Sequence, residues 1–220
     1  MHKLIKVYDS NKSSDLLGMT YLRAEAAQID LWEEMGNEGW NWESLMPYYK
    51  KSEYIQEPTP SQLLRGASFD LETHGTSGPL SVGWTEDMLS QEVVSSVNQT
   101  FAALGLPFNK EPNEGSMRGF TVFPKTIDRA NNVREDAGRA YYWPISKRPN
   151  LDLYLNSFVE RMIWHPASNS NDTQRSASGI TFVDCNGTRS TILANREVIL
   201  SAGSLRSPLI LEQSGVGNPT

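Results

Sequence analysis

A chain of 220 residues with 38% hydrophobic residues and six tryptophans can bury a substantial core in one or two domains, which separates it from disordered sequences. Its formal net charge of −6, with the basic residues scattered, argues against nucleic acid or an anionic membrane surface as a main partner. No apolar run is long enough to span a bilayer, so no membrane partner is expected, and the single Cys185 permits no internal disulfide.

Residues 1–17 are polar and mixed, and the stretch from Asp9 to Asp15 reads as loop. A helix is predicted from Arg23 to Met35, because Ala24, Ala27, Leu31 and Met35 share one face, and Gly36 ends it. Leu45 to Tyr54 reads as a second short helix with Pro47 near its first turn. Residues 57–78 read as loop, and Pro79 to Trp84 as a strand in which Leu80 and Val82 alternate with Ser81 and Gly83. A clearer helix runs from Gln91 to Leu104, closed by Gly105 and Pro107, with Val94, Val97, Phe101 and Leu104 as a core stripe. Asn109 to Met117 reads as loop, Thr121 to Phe123 as a short strand, and Val133 to Tyr142 as a helix. On that helix Arg134, Glu135, Asp136 and Arg139 would form solvent-facing ion pairs.

The remainder is rich in strand patterns. Leu151 to Trp164 holds two apolar segments. Gly179 to Cys185 and Thr188 to Leu193 flank Asn186-Gly187, which predicts a hairpin closed by a two-residue type I′ turn, with Cys185 a half-buried strand residue. Val198-Ile199-Leu200 reads as a buried strand running into Ser201-Ala202-Gly203, after which Ser207 would cap a helix, Pro208 would take its first position and Gly215 would end it. This unit is either an ordinary strand–turn–helix of an α/β domain or a turn whose backbone N–H groups approach a phosphate. The expected fold class is α/β (α+β), with a tail at 1–17, a mainly helical region at 18–149 and a strand-rich region at 150–220.

Gly203-Ser204, Ser207-Pro208, Leu209-Ile210 and Ser214-Gly-Val-Gly217 resemble the second signature of the glucose–methanol–choline (GMC) oxidoreductases, FAD enzymes that oxidise alcohols and sugars. Gly18 to Trp32 is similar to the tail of the family's first signature. Gly36 to Trp42 resembles the fungal glucose oxidases and glucose dehydrogenases, and Met117 to Phe120, Asn132 to Ala137 and Arg139 to Tyr142 resemble the dehydrogenases. The resemblance implies FAD as cofactor and a small sugar or alcohol as substrate. It also implies five cofactor contacts. Gly18 and Thr20 would lie near the flavin and pyrophosphate, the Val159 backbone would meet the adenine, and Ala202 and Gly203 would lie near the ribose and pyrophosphate.

The same resemblance leaves gaps. No G-x-G-x-x-G turn occurs, Asp15-Leu16-Leu17 stands where the family carries glycines and an Asn, and the family's catalytic His has no counterpart. An internal fragment is therefore expected, without the N-terminal dinucleotide-binding βαβ unit and without the C-terminal catalytic segment. The alternative is a non-catalytic remnant that binds a sugar or a partner. His2, His74 and His165 each read as surface residues, so no catalytic residue is assigned, and no metal site. Trp40 and Trp42 read as packing residues flanking a turn, with sugar stacking the other use of such rings. Sequons at Asn11, Asn98, Asn171 and Asn186 fit a secreted, glycosylated parent.

Overall fold

The computed structural model describes residues 4–8 (as backbone), 18–166 and 175–217. His2, the sequons at Asn11 and Asn171, and the segment before Gly18 that departs from the family pattern lie outside them. In chain order the elements are β1 (Leu4–Tyr8), α1 (Ala26–Glu34), α2 (Trp42–Ser52), β2 (Glu53–Ile55), α3 (Pro60–Leu64), β3 (Leu80–Gly83) and α4 (Gln91–Ala103). Then follow β4 (Lys125–Asp128), β5 (Val133–Arg134), β6 (Leu151–Leu155), β7 (Phe158–Trp164), β8 (Ala177–Val183), β9 (Arg189–Leu193) and α5 (Arg206–Gln213). The fold is of mixed α/β class, in two compact units, one of residues 13–146 and one of 1–12 with 147–220.

In the 13–146 unit a four-stranded sheet runs in the order β2-β3-β4-β5, with β2 and β3 parallel and the rest antiparallel. Its core is Ile55, Ala67, Val82 and Trp84, with Tyr21, Phe69, Leu80, Met88 and Val122 packed against it. Trp84 is 2% exposed and donates its indole N–H to the Val122 carbonyl at 2.9 Å, so its polar edge is satisfied inside the core. Helix α2 starts at Trp42, three residues earlier than its pattern suggested, because the Asn41 side chain accepts the Ser44 N–H at 2.8 Å. The stretch read as loop contains α3, closed by a reciprocal Thr59–Gln62 capping box.

Three expectations fail here for physical reasons. Val133 to Tyr142 is not one helix: Val133–Arg134 pair with β4, and only Gly138–Tyr142 coil, as a π-helical turn. The 3.5 Å Arg139–Glu135 ion pair forms nonetheless, but with Glu135 buried rather than on a solvent-facing surface. The strand near Thr121 starts four residues later, at Lys125, and Val122 makes only an isolated bridge to Ala67. The stripe of α4 is not a buried core face, since no α4 residue is buried and Leu104 is 73% exposed.

In the other unit β1 pairs in parallel with β6, and β7-β8-β9 form an antiparallel sheet. The hairpin forms, but only Gly187 has a positive φ (+80°). The loop is therefore longer than two residues: Asp184 Oδ1 accepts the Asn186 and Thr188 N–H groups at 2.9 Å each. Cys185 is exposed in that turn, not half-buried in a strand. Glu197–Leu200 forms no strand and Ile199 is 70% exposed. Helix α5 is held to β7 through Ser214, whose Oγ accepts the Met162 N–H at 2.8 Å and whose carbonyl accepts the Trp164 indole N–H at 2.7 Å. Ser207 is not the N-cap. It lies inside α5, and its Oγ instead accepts the Ala202 N–H at 3.0 Å.

Candidate functional site

The densest polar chemistry in the 13–146 unit is a buried cluster of Arg23, Glu53, His74, Glu111 and Asn113, each under one-tenth exposed. Strand β2 supplies Glu53 at its first residue. The Arg23 guanidinium reaches Glu53 Oε1 at 2.7 Å and the carbonyls of Thr73 and Asn113 at 3.0 Å each. The Arg23 backbone N–H donates to Asn113 Oδ1 at 2.8 Å, so one residue ties three distant segments together.

His74 sits at the centre, 3% exposed, and the expectation of a surface histidine is wrong. Its Nδ1 lies 2.9 Å from Glu53 Oε1 and its Nε2 lies 3.1 Å from Glu111 Oε2. The loop is folded inward locally. Asp70 Oδ1 accepts the Glu72 N–H at 2.8 Å, and the Thr73 N–H returns to the Asp70 carbonyl at 3.1 Å. Gly75 completes the approach: a Cβ there would stand 1.7 Å from the Lys50 carbonyl oxygen. That glycine beside the histidine was the available sequence signal, since it permits the close backbone contact that turns His74 inward.

Burial opposes the charges of His74 and Glu53, yet their partners outweigh it. The His74 imidazole is held above its ordinary value, because Glu111 and Glu53 favour the charged form over the cost of desolvation. Against the same desolvation, Glu53 is held below the usual carboxylate range by His74, Tyr21, Arg23 and the Gly75 N–H. Burial, and then the neighbouring Glu53 charge, push the Tyr21 hydroxyl up. Beside the cluster opens a polar groove of about 770 Å³, lined by Asp70, Phe108, Lys110, Glu111, Glu114 and Arg118 among others.

The residues expected to meet FAD occupy both units. Gly18 and Thr20 are exposed, and Thr20 bridges to Lys125. The Thr126 N–H donates to the Met19 carbonyl at 2.8 Å and the Tyr21 N–H to the Pro124 carbonyl at 3.0 Å, so this segment is fixed along β4. In the other unit Val159 pairs with Phe182 immediately before a bulge at Glu160, which bends the strand next to it. Ala202 and Gly203 lie together in an exposed turn ahead of α5. Gly203 has φ +90°, and a Cβ there would meet nothing within 4 Å. Among the described residues no side chain caps the α5 N-terminus. An open glycine before an uncapped helix start fits the approach of a dinucleotide's phosphate or ribose. The Ala202 N–H is already committed to Ser207. Among the described residues no group of His, Cys, Asp and Glu could hold a metal ion, and no helix is long and apolar enough to cross a membrane.

Residues 13–220 match the GMC oxidoreductase family, in its N-terminal part. The chain is 44% identical over 195 residues to a glucose oxidase-like protein, fsoC, of Humicola fuscoatra, covering 89% of this chain and 33% of that protein. It is 34% identical over 203 residues to a glucose oxidase of Aspergillus carbonarius, covering 91% of this chain and 33% of the enzyme. The structure resembles an FAD-dependent oxidoreductase from Chaetomium thermophilum with a TM-score of 0.80 and 30% identity, over 92% of this chain and 34% of that one. The chain thus spans about a third of the length of the curated relatives it matches. With the family matched over nearly all its residues, and a solved FAD-dependent oxidoreductase sharing its fold, this chain belongs to the GMC oxidoreductases, a family of FAD-dependent enzymes.

Proposed function

We propose that this polypeptide is part of an FAD-dependent oxidoreductase that oxidises the CH–OH group of a small sugar or alcohol, with glucose as the first candidate. The observation that carries the reading is the 44% identity to a glucose oxidase-like protein along 195 residues. When bound, FAD supplies the two-electron acceptor for oxidation of the alcohol carbon to a carbonyl.

The chain's own residues bind and orient. Gly203 leaves backbone open beside the α5 N-terminus, and the segment carrying Gly18 and Thr20 is fixed by its bonds to β4 and by the Arg23 anchor. His74 is not the proton acceptor in this reading, because both its ring nitrogens already face carboxylates. His165 is exposed where β7 ends, with its backbone N–H on the Ser176 carbonyl at 2.8 Å. The described histidines therefore favour a second reading, a binding segment that needs a base from elsewhere.

The test is a titration of the purified chain with FAD, followed by visible absorption and fluorescence and then by anaerobic glucose. Retained flavin that bleaches with glucose supports the oxidoreductase reading for this chain. Retained flavin that stays oxidised supports the binding-segment reading. No retention of FAD overturns cofactor binding by this chain.

A further inference from the structure

Both ring nitrogens of His74 face carboxylate oxygens, at 2.9 and 3.1 Å. An ionised carboxylate can only accept, so both nitrogens must donate, and only the imidazolium has two N–H groups. Glu111 is itself a junction: its Oε2 also accepts the Asp70 N–H at 2.9 Å and its Oε1 the Asn113 N–H at 3.0 Å. Asp70 and Glu111 both line the polar groove.

We propose that His74 is a pH-sensitive clasp that holds the 70–75 loop against both β2 and the 109–113 segment, and that its deprotonation releases the Glu111 side and loosens the Asp70 wall of the groove. The direction follows from the two anchors. Glu53 is fully buried and keeps Arg23 and the Gly75 N–H, the latter at 2.7 Å, whereas the Glu111 side chain is 6% exposed and makes the longer contact. The proton leaves Nε2 for solvent, and Nδ1–H stays on Glu53. The other charged and titratable groups packed around the ring act as follows. Arg23 and Tyr21, from the segment before α1, both engage Glu53. Lys50, from α2, donates to the Glu72 carbonyl, and Asp70 and Glu72 belong to the loop itself. Ser68 Oγ donates to the Lys110 carbonyl at 2.7 Å and carries no titrating group, so that tie between the two segments persists across the titration.

The test is side-chain nitrogen NMR of the histidines in the full 220-residue chain, with amide hydrogen exchange across the same pH range. His74 is expected to remain doubly protonated beyond the ordinary imidazole value of 6.5, and then to titrate to the Nδ1–H form. As it does so, exchange at Asp70 should rise roughly tenfold or more beyond its intrinsic increase, the loss expected for one hydrogen bond to a charged group. The Gly75 amide should stay protected. Glu111→Gln should shift the His74 titration downward and leave the Nδ1–H form unchanged. A His74 already neutral at pH 6.5, an Nε2–H form at high pH, or an Asp70 amide indifferent to the titration would overturn the clasp.

Discussion

His74 Nδ1 stands 2.9 Å from Glu53 Oε1, and that same oxygen takes the Arg23 guanidinium at 2.7 Å and the Gly75 N–H at 2.7 Å. One carboxylate oxygen therefore joins the segment before α1, the 70–75 loop and β2. Removing Arg23 strands a buried charge, whereas keeping the charge without the fork does less harm. Arg23→Ala and Glu53→Gln are each expected to cost about 3–5 kcal/mol, the range for breaking a buried ion pair. Arg23→Lys should cost less, because the charge remains while the carbonyl contacts to Thr73 and Asn113 are lost. Urea unfolding followed by tryptophan fluorescence measures all three. An Arg23→Ala midpoint equal to the wild type would mean that the cluster is dispensable.

The cluster also fixes the shape of stability against pH. His74 is raised above 6.5 in the folded chain, so its contribution is complete below 6.5 and is lost as pH rises through the folded value. Glu53 is lowered below 4.5, so its contribution is complete above 4.5 and is lost as pH falls through the folded value. These two groups predict a plateau between 4.5 and 6.5, with stability falling on both sides. Thermal midpoints across pH 3–9 for wild type and His74→Gln check it. The alkaline decline should be missing from the variant.

How far this was readable beforehand depends on the range of each interaction. The positions of the β8–β9 hairpin, α4 and β3 are encoded in local periodicity, and they form close to where the pattern puts them. The cluster is not local: Arg23 bonds Asn113 across 90 residues and His74 bonds Glu111 across 37. Apart from Gly75 beside His74, nothing in the spacing announces that its members are pulled inward. Turn chemistry misled at Asn186-Gly187, where the Asp184 side chain takes two N–H groups and changes the loop type. Val198–Leu200 misled for a different reason, since an apolar run becomes a strand only when a neighbouring strand pairs with it.

In the other unit the junction of α5 with β7 rests on Ser214. Its hydroxyl accepts the buried Met162 N–H and donates to the Ile210 carbonyl. Ser214→Ala removes the acceptor and leaves that N–H unsatisfied, which should cost about 1–3 kcal/mol. Ser214→Thr keeps the hydroxyl and should recover part of the loss. Amide exchange at Met162 reads the effect directly: faster exchange in the alanine variant is expected, and unchanged protection would show that another group takes over.

Two glycines should respond to alanine in opposite ways. At Gly75 the backbone angle is ordinary but the space is filled, with Lys50 and Glu53 carbonyl oxygens inside 3 Å of a Cβ. Backbone cannot move aside as a flexible side chain can, so Gly75→Ala is expected to displace His74 and to destabilise the 13–146 unit severely. At Gly203 the space is open but φ is +90°, so Gly203→Ala should cost only about 1–2 kcal/mol through strain. The turn serves ligand approach if FAD binds there, so the cost should show in affinity more than in stability. Gly203→Ala is expected to weaken FAD retention while shifting the melting temperature by only a few degrees, and Gly75→Ala to lower the melting temperature whether or not FAD is present. Fluorimetric FAD titration beside thermal melts separates the two. Equal FAD affinity in wild type and Gly203→Ala would remove this turn from the flavin site.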